Sequence, residues 1–259
     1  MVDTTPEAQE MPSLPKTSVV DAYLERVNQL LDADPEPREL ALALVQRLGS
    51  RHSLSLLETA SEMDRLYREM RSVLDEFTGR PFGLFTVLTI EHLALVMKLY
   101  VISWYTMLDL VARLVSIAFN LGIADRDINL KLILNNDHVK SSRVHAILED
   151  YERTIVIKDL RKRRNDAVHR GRIPDPDVEG LLKERNTIDA RRYSLLESRP
   201  ISDDEHKTRL SALQSRLSTL AQAKRRTWET VHGQTVSMTS AVAREVADKT
   251  LQLYRHGAI

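Results

Sequence analysis

Apolar residues recur in steps of three and four along most of the chain, and no strand-like alternation of period two interrupts them. The pattern predicts an all-α fold. From Thr17 to Ala33, Val20, Tyr23, Leu24, Val27, Leu30 and Leu31 share one helical face behind a Thr or Ser suited to capping. Asp34-Pro35-Glu36-Pro37 ends that helix, and residues 38–48 predict a second one closing at Gly49. A third is predicted over residues 53–77, burying Leu56, Leu57, Met63, Leu66, Met70, Val73 and Leu74. Gly79-Arg80-Pro81-Phe82-Gly83 then breaks the chain, which divides it into an N-terminal helical subdomain at 17–80 and a larger helical bundle at 84–257.

Residues 84–122 are the most apolar part of the sequence. Glu91, Lys98, Asp109 and Arg113 interrupt them, so no charge-free run approaches the roughly 18 residues of a spanning helix. This stretch is expected to be core rather than membrane, as one very long helix or two separated by a kink. A short helix is predicted at Asp125–Leu134, a turn at Asn135-Asn136-Asp137, and another short helix capped by Ser141 or Ser142. It leads into a further helix from about Glu149. Beyond a loop holding Pro174 and Pro176, residues 177–198 are helical and heavily charged. A turn at residues 199–204 offers Ser and Asp caps for a final helix over about 203–255. There Leu210, Leu213, Leu217 and Leu220 form a short coiled-coil-like seam, and Met238, Val242, Val246 and Leu253 extend an apolar stripe past Gly233. A hairpin with residues 177–198 is the simplest pairing for that helix. Pairing between two molecules is the alternative, and it would suit a dimer.

Chemistry concentrates in Lys158–Arg172, KDLRKRRNDAVHRGR, which reads as a helix ending near Gly171. Ile157, Leu160, Arg164, Ala167 and Val168 fall on one side, so a guanidinium stands in an apolar stripe and needs a partner for its donors. Asp109, in apolar company itself, is the candidate; alternatively Asp109 meets Arg113 at the i to i+4 spacing. Asn165 and His169 are four apart and neighbour one another on an adjoining face. Arg161, Lys162, Arg163, Arg170 and Arg172 surround them. The bland alternative is a basic cluster favoured by the helix macrodipole, with His169 capping terminal carbonyls.

Composition narrows the field. The 37 basic and 37 acidic residues of the 259 cancel, so any nucleic-acid binding must rest on a local patch. The absence of Cys excludes disulfides and thiolate chemistry and fits a reducing cytoplasm. The N-terminus lacks a basic start followed by an apolar core, so no secretory signal is read there, and Pro, Thr and Glu predict a disordered tail over residues 1–16. No Gly-rich phosphate loop, His-Glu-x-x-His pair or Gly-x-Ser-x-Gly elbow occurs, and the eight His are scattered. His138 and His145, seven apart, read as surface residues. Neither a metal nor a cofactor is expected.

Arg164-Asn165-Asp166-Ala167-Val168-His169 resembles the Arg-Asn-x-x-x-His signature of the HEPN (higher eukaryotes and prokaryotes nucleotide-binding) superfamily, and the resemblance covers about residues 84–257. Residues 1–80 resemble nothing familiar. The resemblance implies a helical bundle with an N-terminal helical extension and a long C-terminal helix or hairpin. It implies a metal-independent endoribonuclease whose composite site forms in a homodimer, with Arg164, Asn165 and His169 catalytic. Arg161, Lys162, Arg163, Arg170 and Arg172 would then contact RNA, and Asp109 would support Arg164. A toxin or defence role, with an antitoxin or nucleotidyltransferase partner, belongs to the same expectation. Some family toxins carry a modified Tyr two positions after the His, where this chain has Gly171. A non-catalytic helical module binding RNA or protein is the alternative, and a scaffold without nucleic acid the third.

Overall fold

Helices account for nearly all of what the computed structural model describes, namely residues 18–32, 51–76, 86–154, 160, 163, 175–192 and 201–255. No strand occurs among the described residues, and the fold is all-α. The elements are α1 (Val19–Asp32), α2 (Arg51–Glu76), α3 (Thr86–Ala118), α4 (Leu130–Asn135), α5 (Asp137–Lys140), α6 (Arg143–Arg153), α7 (Pro176–Arg192) and α8 (Asp203–Arg255), with a 3-10 turn at Asp125–Asp127. The predicted tail at 1–16, the helix at 38–48 and the break at Gly79–Gly83 lie outside the described residues.

Capping explains where several helices begin. Ser18 Oγ accepts the Asp21 amide at 2.9 Å. Asp64 of α2 reinforces that end, because its carboxylate accepts the Ser18 hydroxyl (2.7 Å) and the amides of Val19 (2.6 Å) and Val20 (3.2 Å). An anion at a helix N-terminus also meets the positive end of the macrodipole. On α2, Leu56, Met63, Leu66, Met70 and Leu74 are buried as the spacing predicts, while Leu57 and Val73 are half-buried. Ala60 and Tyr67 complete the stripe.

The long apolar stretch is one unbroken helix, α3, running through the centre of the bundle. Tyr100, Trp104, Met97 and Met107 are fully buried on it, and each such side chain contributes about 1.5–3 kcal/mol by leaving water. Ile90–Ala118 is long and apolar enough to cross a membrane by length and composition alone, yet most of it is buried within the bundle. α3 ends in a Schellman arrangement. Asn120 takes the left-handed conformation (φ 50°), its amide bonds Ile117 O, and the Leu121 amide bonds Ser116 O.

The expected helix over Asp125–Leu134 is divided in two by Asn129, whose side chain accepts the Leu132 amide at 2.9 Å and so starts α4 afresh. Asn136 ends α4 and caps α5 by accepting the His138 amide. Ser142 stands at the N-cap of α6, but its hydroxyl donates back to Val139 O at 2.6 Å. The expectation of a helix starting near Glu149 and running into the motif is corrected here. Glu149 lies inside α6, which stops at Arg153 with Thr154 extended. Thr154-Ile155-Val156-Ile157 is a run of β-branched residues, and their restricted χ1 lowers helix propensity at that point.

α8 is continuous through Gly233 and packs on α1, α2, α3, α6 and α7. Its N-terminal half forms the expected antiparallel hairpin with α7, where Arg216 bonds Glu184 (2.6 Å) and Lys224 bonds Asp177 (3.0 Å). Leu213 and Leu217 are buried in that seam, with Leu210 and Leu220 half-buried. Its C-terminal half holds α1, where Arg26 grips Asp248 through two nitrogens at 2.9 and 3.2 Å. Residues of α1 and α2 share one apolar core with α3 and α8.

Candidate functional site

Leu160 and Arg163 are the described residues of the segment that carries the predicted chemistry, and both are helical. Leu160 is buried, as its place on the apolar stripe predicts. Arg164, Asn165, His169, Arg161, Lys162, Arg170 and Arg172 lie outside the described residues.

Arg163 does not stand free as one more cation along a cleft. Its Nη1 donates to Asp175 Oδ2 at 3.1 Å, and Lys224 Nζ of α8 donates to the same oxygen at 2.7 Å. The other oxygen, Oδ1, accepts the amides of Asp177 (3.2 Å) and Val178 (3.3 Å). Asp175 is thereby the N-cap of α7, with Pro176 at the first helical position, where its missing N–H costs nothing. Only 1% of Asp175 is exposed. Burial alone would raise its pKa, but Lys224, the Val178 amide and Arg163 outweigh burial and hold the carboxyl below the ordinary range. The pairing is what makes a buried carboxylate tolerable. The two residues that flank the motif, 163 on one side and 175 on the other, therefore meet at one carboxylate.

Asp109 is exposed on α3 between buried Leu108 and Leu110. Arg113, one turn later, has Nη2 3.6 Å from Asp125 Oδ2. Whether Asp109 reaches Arg164 lies outside the described residues.

Through the core runs a buried chain of hydroxyls that the sequence reading missed. Trp104 Nε1 donates to the Tyr151 hydroxyl (2.8 Å), which shares a hydrogen with Thr235 Oγ1 (2.7 Å). Tyr67 OH donates to Thr235 O (3.0 Å) and pairs with the Thr239 hydroxyl, and Tyr100 OH donates to Trp228 O (3.2 Å). The chain joins α2, α3, α6 and α8. Burial pushes the phenols of Tyr67 and Tyr100 up, so they remain protonated donors and act in packing. The available signal was Thr235 and Thr239, polar residues four apart inside the apolar stripe of α8. His232 is another buried polar residue, 5% exposed, whose Nδ1 makes no hydrogen bond. Burial, then Arg71, lower its pKa to about 4 against the opposing pull of Glu229.

Among the described residues no group of three or more His, Asp or Glu is placed to hold a metal. The clefts lined by described residues include two open ones. One, of about 450 Å³, lies between α7 and α8 and is lined by Lys183, Glu184, Thr187 and Arg209. The other, of about 370 Å³, lies at the end of α3 and is lined by Ser55, Ser116, Asn120 and Asp125.

A family model for Cthe2314-like HEPN domains matches residues 86–232. The chain belongs to the HEPN family. No curated protein matches it, and no solved structure does. The HEPN match opens on the first residue of α3 and closes at His232 of α8, so it spans α3 to α7, the motif segment and the Asp175–Lys224 pair. HEPN domains are modules of nucleotide-binding and ribonuclease type. α1 and α2 stand outside the HEPN match yet bury their apolar faces in the same core.

Proposed function

We propose that this HEPN domain is a metal-independent endoribonuclease whose active site is assembled from the motifs of two copies of the chain. The observation that carries the reading is the family match across the Arg164–His169 segment, which sits between flanks fastened at Asp175. RNA brings its own nucleophile. The 2′-hydroxyl attacks the adjacent phosphorus and loses its proton to one His169, while the P–O5′ bond breaks and O5′ takes a proton from a second. Imidazole is suited to both transfers near neutral pH, each contributing about 10²–10⁴-fold. Arg164 balances charge on the phosphorane, and Asn165 orients imidazole or phosphate through its amide. Arg161, Lys162, Arg170 and Arg172 guide the RNA backbone, Asp109 supports Arg164, and Arg163 serves as an anchor.

One imidazole cannot readily be base and acid in a single step, and two-fold symmetry supplies the other. The exposed stripe of Leu95 (51%), Leu99 (45%) and Ile102 (38%) on α3 supports self-association, since adjacent exposed aliphatics on a core helix favour being covered. Location in the cytoplasm, a toxin or defence role and an antitoxin or nucleotidyltransferase partner belong to this reading. Gly171 in place of Tyr argues against control by modification at that position.

The test is incubation of labelled RNA with the full chain in excess chelator. Cleavage that disappears in His169→Ala and Arg164→Ala, with helical content retained, supports the enzyme. RNA held without cleavage favours a binding module.

A further inference from the structure

Asp175 divides its work between two oxygens. Oδ1 starts α7 by accepting two amides, and any good N-cap residue would do the same. Oδ2 has a different task. It receives Arg163, the residue immediately before Arg164, and Lys224, near the middle of the longest helix. A cap alone needs no charge, and a carboxylate this deeply buried is expensive unless cations compensate it.

We propose that Asp175 is a positioning residue for the nuclease motif, through an Arg163–Asp175–Lys224 clamp that fastens both ends of residues 164–174 to α8. The proposal rests on the nuclease reading. Holding Arg163 fixes the point from which the chain enters the motif. Holding Asp175 fixes the exit. Lys224 then refers both to a helix that is itself locked into the core by Trp228 and Thr235. Segments closed at both ends lose most of their freedom to drift, and a drift of about 1 Å at reacting groups can cost on the order of 10²-fold in rate.

The two tasks are separable by substitution. Asp175→Asn keeps an oxygen for the amides of Asp177 and Val178 but presents no anion to the two cations. Lys224→Met removes one arm and leaves the cap untouched, while Lys224→Arg restores a cation. Asp177→Ala is the control, since it removes the exposed contact with Lys224 and spares Asp175.

The experiment uses the full chain, amide hydrogen exchange, and steady-state cleavage of an RNA oligonucleotide in excess chelator. Asp175→Asn and Lys224→Met are expected to raise exchange at residues 164–174 by at least about tenfold, with amides of α7 beyond Val178 unchanged. The same variants are expected to lower kcat by about 10 to 100-fold with KM within about threefold. Lys224→Arg recovers most of the loss, and Asp177→Ala matches wild type. Unchanged exchange at 164–174 in both variants overturns the clamp, as does faster exchange with kcat within twofold of wild type. A wild-type chain that cleaves no RNA, with exchange still accelerated in the variants, overturns the nuclease reading and leaves the fastening in place.

Discussion

The indole N–H of Trp104 reaches the hydroxyl of Tyr151 at 2.8 Å inside the core, linking α3 to the last turn of α6. The hydroxyl passes the contact on to Thr235 of α8 at 2.7 Å. Replacing Tyr151 by Phe keeps the ring but removes the acceptor, and the buried indole N–H is left unsatisfied. An orphaned buried donor costs about 1–3 kcal/mol. Urea unfolding of Tyr151→Phe should show a lower midpoint at an unchanged slope, the product of the midpoint change and the slope matching that loss. An unaltered midpoint would mean that the core absorbs the loss.

Asp64 predicts a second, local effect. Its carboxylate accepts two amides and one hydroxyl at the start of α1, 44 to 46 positions away in sequence. Asp64→Ala should destabilise the chain by about 1–2 kcal/mol, and hydrogen exchange should quicken first in α1. Asp64→Asn, which retains an acceptor, should cost less. If exchange in α1 is the same in Asp64→Ala and wild type, the cap is without energetic weight.

His232 sets an acid limit on stability. Burial holds its imidazole at about 4, against 6.5 in the unfolded chain, so the unfolded state binds more protons between those values. Above pH 6.5 His232 carries no penalty. As pH falls from 6.5 towards 4 stability drains away, reaching a loss on the order of 3 kcal/mol. His232→Leu should flatten the pH dependence of the unfolding midpoint over that window. Parallel curves for the two proteins would assign the acid sensitivity elsewhere.

The proposed two-fold assembly has its own test. Leu99→Glu places a charge in the middle of the exposed stripe formed with Leu95 and Ile102. Light scattering is expected to report a dimer for the wild-type chain and a monomer for Leu99→Glu, and RNA cleavage should fall with the loss of the dimer. Leu99→Glu that remains dimeric moves the interface to another face.

Much of the architecture was legible because helix signals are local. Ser18 and Ser202 stand at the starts of α1 and α8, and Ser202 Oγ accepts the Glu205 amide as a cap should. The apolar stripes of α2 and α8 follow from spacing alone. What the chain could not disclose depends on distant partners. Asn129 restarts a helix that periodicity alone joins to the preceding turn. Asp175 looked like a loop residue between two prolines; its carboxylate is compensated by Lys224, 49 positions onward. For the same reason Arg163 read as one of five equivalent cations, since nothing in KDLRKRRNDAVHRGR distinguishes the one that finds a carboxylate. The site was legible only as a motif, and Arg164, Asn165 and His169 remain assignments from resemblance.

The 53 uninterrupted residues of α8 form a rod about 80 Å long. Lys224 and Thr235 ride on that rod at a fixed angular offset, one bound to Asp175 and the other to Tyr151. Inserting a single residue between Lys224 and Trp228 would rotate one half against the other by about 100°. The hairpin and the core would then be out of phase, so the interval from Lys224 to Thr235 is constrained to the residue.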